Sequence, residues 1–400
     1  MLISIRRVYG VTMNIDEKPF QVYIKKNTEP IRPVAIFAFL MVLCMPIHTI
    51  TIGGIGIFML IGLPLFALSI PAFLNRLKYT IWDKATLVLA AYFFFNILAY
   101  LWAPRYSLNS LYNYLKIIVM VMCLYVQPYS VREKKFLLSG TLLAGLMVCW
   151  FIMTGNNIGY ADNRLTVSVF GVLQDPNYLG HLFLVPVAVA TQQIINQRQW
   201  IKRLLWLAMA SVMLLCVLLT GSRGALLGIA VVVAVCVFGK FKTLAAKIMF
   251  SIAMAIVVIA LYVVLLMLLP DYLASRFSIQ LLLDTGGTGR LDIWMDAVRV
   301  MAEAPYRLLF GFGTGASNDL IGWATHNLFI QLLLEGGIVS LGLFLSFFWM
   351  WFKRLARSDT TCFAVLLGCM AMAMTLSVNT VYYFWIVYIV CLVASNVKRY

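Results

Sequence analysis

The most restrictive feature of this chain is a series of apolar runs that repeatedly reach the roughly 20 residues needed to cross a bilayer. Lipid offers the backbone no hydrogen bonds, so each run has to be helical. Composition agrees, since 63% of the 400 residues are hydrophobic and only 12% are charged. The sequence predicts an all-α, polytopic membrane protein of about twelve spans. Their predicted limits are residues 34–50, 52–74, 85–103, 108–126, 136–154, 177–196, 204–220, 225–239, 245–269, 328–352, 361–378 and 379–395.

The positions of Lys and Arg predict the orientation of the spans. These residues concentrate in residues 1–33 and in alternate loops, which is typical of segments on the cytoplasmic side. Residues 1–33 lack the apolar region of a signal peptide, so we expect a cytoplasmic arm there and a single transmembrane domain over residues 34–400. Both termini are then cytoplasmic. This distribution accounts for the net charge of +16 without a nucleic-acid partner.

Two long segments, 155–176 and 270–327, are predicted on the outer side, and function is expected there. Every basic residue outside the cytoplasmic segments, apart from Lys116 within a span, is an arginine. The set comprises Arg105, Arg164, Arg223, Arg276, Arg290, Arg299 and Arg307. A planar guanidinium matches phosphate oxygens, so this bias indicates a phosphorylated ligand. Chance and salt bridges are the alternative explanation.

The longer outer segment contains an amphipathic pattern. After the glycine run that ends at Gly289, apolar residues recur with helical spacing at Leu291, Trp294, Met295 and Val298. A helix at the membrane surface is expected. Arg299 is placed to pair with Asp296 and Glu303. Arg290 opens the helix with no acid four residues on, which leaves it freer to bind an anion.

Three further positions are candidates. Arg223 interrupts two spans, where a charge either serves a site or snorkels to the headgroups. Asp175 and Asn177 flank a proline at the start of a span, where helix capping is the simpler explanation. His326 ends the long outer segment, where an imidazole can transfer protons near neutral pH, although a structural role is common for a single histidine.

These motifs together resemble the O-antigen ligase and polymerase superfamily. The matching runs are Thr220-Gly-Ser-Arg-Gly224, Gly289-Arg-Leu-Asp-Ile-Trp294, His326-Asn327 followed by Glu335-Gly-Gly337, and Asp175-Pro-Asn-Tyr-Leu-Gly180. The resemblance implies a GT-C-like fold that transfers glycans from undecaprenyl diphosphate at the outer face of the plasma (inner) membrane. It implies no metal, nucleotide or other cofactor.

The resemblance also assigns roles by position. Arg223 and Arg290 would bind the diphosphate, and His326 would assist the acceptor hydroxyl. Glu335 is a further catalytic candidate, and Asp175, Asn177 and Asn327 are possible additional site residues. The implied partners are the lipid-linked glycan donor, a glycan or lipid acceptor, the bilayer, and flippase and chain-length regulator proteins.

The choice between polymerase and ligase depends on the acceptor. Ligases of this family are expected to carry Gly, Thr or Tyr where this chain has Ser340, and that departure favours a polymerase. A ligase is the alternative. A transporter of lipid-linked sugars is a third hypothesis, but internal repeats and polar groups at the bilayer midplane are not evident. A purely structural scaffold would leave the arginine bias unexplained.

Overall fold

A computed structural model of the chain describes residues 30–79, 83–105, 107–154, 158–161, 164–170, 172–243, 245–253, 267, 274, 277–284 and 289–395. Most of these residues are helical. The helices are α1 Pro33–Leu43, α2 Ile57–Tyr79, α3 Lys84–Leu98, α4 Leu108–Tyr125, α5 Val131–Met153, α6 Pro176–Leu179, α7 His181–Asn196, α8 Trp200–Leu219, α9 Arg223–Phe238, α10 Ile279–Asp284, α11 Arg290–Glu303, α12 Ala316–Ile321, α13 Leu328–Ser358, α14 Thr360–Ala373 and α15 Tyr382–Ala394. Short 3-10 helices cover Met45–Ile47, Ala99–Trp102 and Pro305–Leu308.

The helices confirm a polytopic membrane protein. Among the described residues, seven helices are long and apolar enough to span a membrane, and four shorter apolar helices accompany them. Residues 245–253 are helical, but most of the predicted span 245–269 and most of the arm 1–33 lie outside the described residues. The count of twelve spans and the orientation of the termini therefore stay predictions.

Three predicted boundaries are wrong. In the span predicted at 34–50, α1 ends at Leu43, just before Pro46, which has no amide hydrogen to continue the helix. The first residues of the span predicted at 52–74 form an antiparallel hairpin of β1 Thr51–Ile52 and β2 Ile55–Gly56, since Gly53 and Gly54 adopt the positive φ of a tight turn. The spans predicted at 361–378 and 379–395 do not abut, because residues 374–381 are not helical.

The predicted outer segment 155–176 contains a sheet that the sequence did not reveal. Strands β3 Ile158–Ala161, β4 Arg164–Val169 and β5 Val172–Gln174 pair antiparallel in that order. Val167 and Val169 alternate along β4 and are both buried. The strand packs against α5 and the short α6. The sheet thus lies beside the first residues of the next apolar helix.

Glycines bring α9 and α14 into close antiparallel contact. Gly228 meets the side chain of Met372, and near the other end of the pair Gly239 meets Thr360. Gly224 meets Thr375 just beyond the C-terminal end of α14. Small residues allow such close approach of helices in membranes. The first turn of α9, which carries Arg223, is thereby fixed beside residues 374–381.

At the end of the bundle away from Arg223, ion pairs near the first turns of helices connect neighbouring helices. Arg32, just before α1, contacts Glu133 in the first turn of α5 at 2.7 Å. Ser130 and Glu133 form a reciprocal capping box on α5. Arg354 of α13 contacts Asp83, the N-cap of α3, at 3.0 Å. These bonds hold one end of the bundle, while the family-like motifs gather at the other.

Candidate functional site

The motif at Asp175 and the motif at Arg223 are joined by a hydrogen bond. The Asp175 carboxylate caps the short helix α6, accepting from the backbone and the side-chain amide of Asn177 at 2.8 and 2.9 Å. The predicted capping role is confirmed. The side-chain oxygen of Asn177 accepts a hydrogen bond of 2.8 Å from the hydroxyl of Ser222. Asp175 and Asn177 therefore hold the residue that precedes Arg223.

The run Thr220–Gly224 forms a tight reversal between α8 and α9. Gly221 has a φ of 62°, which a residue with a side chain rarely adopts. Ser222 is the N-cap of α9, where its hydroxyl accepts from the amide of Ala225 at 3.3 Å. Arg223 is consequently the first helical residue, half-buried at the end of the bundle where the motifs gather.

His326 lies in the connection between α12 and α13, and hydrogen bonds hold the residues on both sides of it. Its φ of 47° is uncommon for a residue with a side chain. Asn327 caps α13 by accepting from the amides of Phe329 and Ile330 at 2.9 and 3.1 Å, and it donates to the Met374 carbonyl at 3.2 Å. The hydroxyl of Thr325 donates to the Asn327 carbonyl at 3.0 Å and lies 2.9 Å from the hydroxyl of Ser377. Bonds from both neighbours thus fix the backbone of His326.

The helix that carries Arg290 docks onto the same connection. Arg290 opens α11 after Gly289, as the sequence predicts, and Gly289 has a φ of 77°. One turn later, the indole nitrogen of Trp294 donates to the Thr325 carbonyl at 2.9 Å. Ala297 and Met301 of α11 are buried against Leu334 of α13. Arg290 and Trp294, four residues apart, share one helix face, so Arg290 lies on the side of α11 that faces the connection.

Three other arginines of the predicted outer set have partners in the structure. Arg299 pairs with Asp296 at 3.0 Å, as predicted. Arg105 contacts Asp319 at 3.6 Å, and Arg307 lies over the rings of Tyr306 and Phe312. The side chain of Arg164 and all of Arg276 lie outside the described residues.

Glu335 belongs to a buried network at a break in α13. Only 1% of the residue is exposed, and its carboxylate accepts from the hydroxyl of Ser317 at 2.6 Å and from the amide of Gln331 at 3.4 Å. Gly337, two residues on, has a φ of 64° and interrupts the helix. These contacts connect Glu335 to α12, through Ser317, and to its own helix, through Gln331.

The glycine-rich loop 311–315 fills that break. The amides of Phe312 and Gly313 donate to the carbonyls of Leu334 and Glu335 at 2.9 and 2.8 Å. A side chain at Gly337 would overlap the backbone of Leu309. The loop is therefore held on α13 by backbone hydrogen bonds.

Sequence reasoning missed residues 374–381. They contact Thr325, Asn327 and Gly224, which flank His326 and Arg223. A signal was present, because polar residues recur there between two apolar runs, at Thr375, Ser377, Asn379 and Thr380. Across the described residues, no group of three His, Cys, Asp or Glu side chains is arranged to hold a metal ion.

The comparison with protein families accounts for most of these motifs. Residues 208–345 match the family model described as O-antigen ligase. This part of the chain, about a third of its length, is therefore similar to O-antigen ligases. The resemblance seen in the sequence is confirmed over these residues, in a chain whose helices make it a multi-pass membrane protein. The matched residues include Arg223, Arg290 and His326, whereas Asp175 and residues 374–381 fall outside them. No curated protein matches the chain in sequence.

Proposed function

We propose that this protein polymerises oligosaccharide repeat units carried on undecaprenyl diphosphate, at the outer face of the plasma membrane. The observation that supports this most directly is the convergence around His326 of the two helix starts that carry Arg223 and Arg290. Two arginines on elements that meet beside the His326 connection suit a reaction that expels a diphosphate. A flippase would supply the carrier, and a chain-length regulator would act on the product.

The proposed reaction is a single inverting displacement. The acceptor hydroxyl attacks the anomeric carbon while the bond from that carbon to the diphosphate oxygen breaks on the opposite side. His326 takes the hydroxyl proton, and undecaprenyl diphosphate leaves with the bonding electron pair. Arg223 and Arg290 stabilise the charge that builds on the departing diphosphate, and preorganised donors of this kind contribute strongly to catalysis.

The remaining candidates are proposed to position these groups. Asp175 and Asn177 hold Ser222 and so fix the start of α9. Asn327 caps α13 directly after His326. Glu335 secures α12, which contains Ser317. The residues proposed to act directly on the reacting groups are therefore Arg223, Arg290 and His326.

A ligase is the second candidate, favoured by the description of the matched family model. Ser340 is the residue that favours a polymerase. That residue is fully buried and donates to the side-chain oxygen of Asn96 at 3.1 Å, about three turns into α13. Ser340 packs the helix bundle at this point, so the acceptor has to be identified by experiment.

The deciding experiment offers a synthetic undecaprenyl diphosphate oligosaccharide to the purified protein in detergent. We expect a ladder of longer carrier-linked glycans. Arg223→Ala, Arg290→Ala and His326→Ala should each lower the rate by about 100-fold or more. Arg299→Ala is the matched control, because Arg299 lies on the same helix as Arg290 and pairs with Asp296.

The products separate the candidate functions. Transfer only when a separate lipid or glycan acceptor is supplied would identify a ligase. No covalent product with either acceptor, together with movement of the carrier lipid across vesicles, would identify a transporter. A native rate for Arg223→Ala or Arg290→Ala would refute the proposed diphosphate site.

A further inference from the structure

We propose that residues 374–381, between α14 and α15, form the floor of the transfer site and that Ser377 is the positioning residue for His326. This inference rests on the proposed function and extends it to a segment outside the family match at 208–345. Residues 374–381 are termed the floor segment.

Three separate motifs meet at the floor segment. Thr375 lies against Gly224, the residue after Arg223. The Met374 carbonyl accepts from Asn327, the residue after His326. The Ser377 carbonyl lies 3.5 Å from the hydroxyl of Tyr178, in the helix that Asp175 caps. The floor segment is thus common to the neighbourhoods of both Arg223 and His326.

Ser377 acts on His326 through Thr325. The Thr325 hydroxyl has one proton, which it donates to the Asn327 carbonyl, so the 2.9 Å bond between the two hydroxyls is donated by Ser377. Thr325 is fully buried and Ser377 is 8% exposed, so water cannot readily replace this bond. Removing the Ser377 hydroxyl takes away one of the bonds that hold Thr325, and we expect the positive φ of the adjacent His326 to relax as a result.

The floor segment is itself anchored in the bundle core. The side-chain oxygen of Asn379 accepts from the hydroxyls of Tyr92 and Tyr114 at 2.6 and 3.2 Å. The Asn379 carbonyl accepts from the indole nitrogen of Trp385 at 2.7 Å. All four residues are buried. Ser377 therefore has a fixed support two residues away, which a positioning residue requires.

The test uses the fact that the chain has three histidines, His48, His181 and His326. Protein labelled with ¹³C in the histidine rings gives three ring signals in detergent, which single His→Gln substitutions assign. We expect Ser377→Ala and Thr325→Val to shift the His326 signal and to leave the His181 signal unchanged. Ser377→Thr and Thr325→Ser retain the hydroxyls and should leave the His326 signal close to its native position.

Kinetics provide the second readout. Ser377→Ala should lower kcat by about fivefold with little change in the KM for the lipid-linked donor, and Ser377→Thr should restore it. Combining Ser377→Ala with Thr325→Val should cost little more than Thr325→Val alone, because Thr325→Val already removes the bond to Ser377 together with the bond to the Asn327 carbonyl. Ser69→Ala, which removes a fully buried hydroxyl bonded to the Leu65 carbonyl, controls for the general effect of losing such a group.

The two readouts distinguish failure of this inference from failure of the proposed function. An unshifted His326 signal in both Ser377→Ala and Thr325→Val would overturn the positioning role, whatever the activity. A shifted signal with no glycan transfer by the native protein would leave the contact in place and refute the proposed reaction. If Ser377→Ala does not fold, the Thr325→Val and Thr325→Ser pair gives the same comparison.

Discussion

The indole nitrogen of Trp294 donates a hydrogen bond of 2.9 Å to the carbonyl of Thr325. This bond joins α11, which begins at Arg290, to the connection that carries His326. Trp294 is half-buried, so the bond is shielded from water on one side. The bond thus couples the helix of Arg290, which is proposed to bind the diphosphate, to the connection of His326, the proposed proton acceptor.

Replacing Trp294 with Phe should weaken this link while keeping most of the ring packing. One lost hydrogen bond corresponds to about 1 kcal/mol, or roughly a fivefold lower rate of glycan transfer. The measurement is the initial rate with the lipid-linked oligosaccharide. Trp323→Phe is the control, because Trp323 lies in the same loop and is 67% exposed. Equal rates for the two variants would contradict the role given to the bond.

Gly224→Ala should distort the start of α9. The added methyl would overlap the hydroxyl of Thr375, and overpacking of this kind costs about 1–3 kcal/mol. Lower thermal stability in detergent and slower transfer are both expected. Adding Thr375→Ala removes the overlapping oxygen and should restore much of both properties, since the next nearest atom lies at an ordinary 3.6 Å. A double variant no better than Gly224→Ala would show that the overlap is not the cause.

Two glycines of α13 should respond differently to the same change. Gly337→Ala would combine a φ of 64° with an overlap on the Leu309 backbone, so we expect a loss of at least about 2 kcal/mol. Gly342→Ala meets no atom within 4 Å and should be neutral or slightly stabilising. Thermal unfolding of both purified variants checks the contrast. Comparable stabilities would mean that loop 311–315 does not require the break.

Glu335→Gln tests whether this carboxylate supports the loop or takes part in the reaction. Glutamine has an NH2 group, which is a donor, in place of one carboxylate oxygen. This group would face at least one of the donors on Ser317 and Gln331, which should lower the stability by about 2 kcal/mol. We expect a lower unfolding midpoint and a transfer rate within about tenfold of native at low temperature. A loss as large as that of His326→Ala, in a protein that is still folded at that temperature, would assign Glu335 a direct role.

Much of the architecture could be read from hydrophobic runs, because lipid imposes helices on them. The approximate positions of α2 to α5 and α7 to α9 follow from that constraint alone. The positions of the helix ends were harder to predict from the sequence. The break after Ala373 depends on Ser377 and Asn379 finding buried partners far away in the chain, which hydropathy does not report.

The candidate site likewise contains contacts that could be predicted from the sequence and contacts that could not. The cap at Asp175 and the pair of Arg299 with Asp296 are local, so spacing was enough to predict them. The bonds of Thr325 to Trp294 and Ser377 join segments distant in sequence and could not be predicted from one sequence. In β4 the alternation of Val167 and Val169 was a usable signal for a strand, whereas β3 and β5, with four and three residues, are too short to show a pattern.

The contacts of Met374 and Ser377 also set an order of events during synthesis. A membrane protein emerges from the ribosome N-terminus first, and early helices can insert before later ones are made. Thr325 and Asn327 acquire these partners only after α14 has been made, when residues 374–377 follow it. A nascent chain that stops at the end of α14 would therefore contain all of residues 208–345 and still lack the bonds between the floor segment and the neighbours of His326.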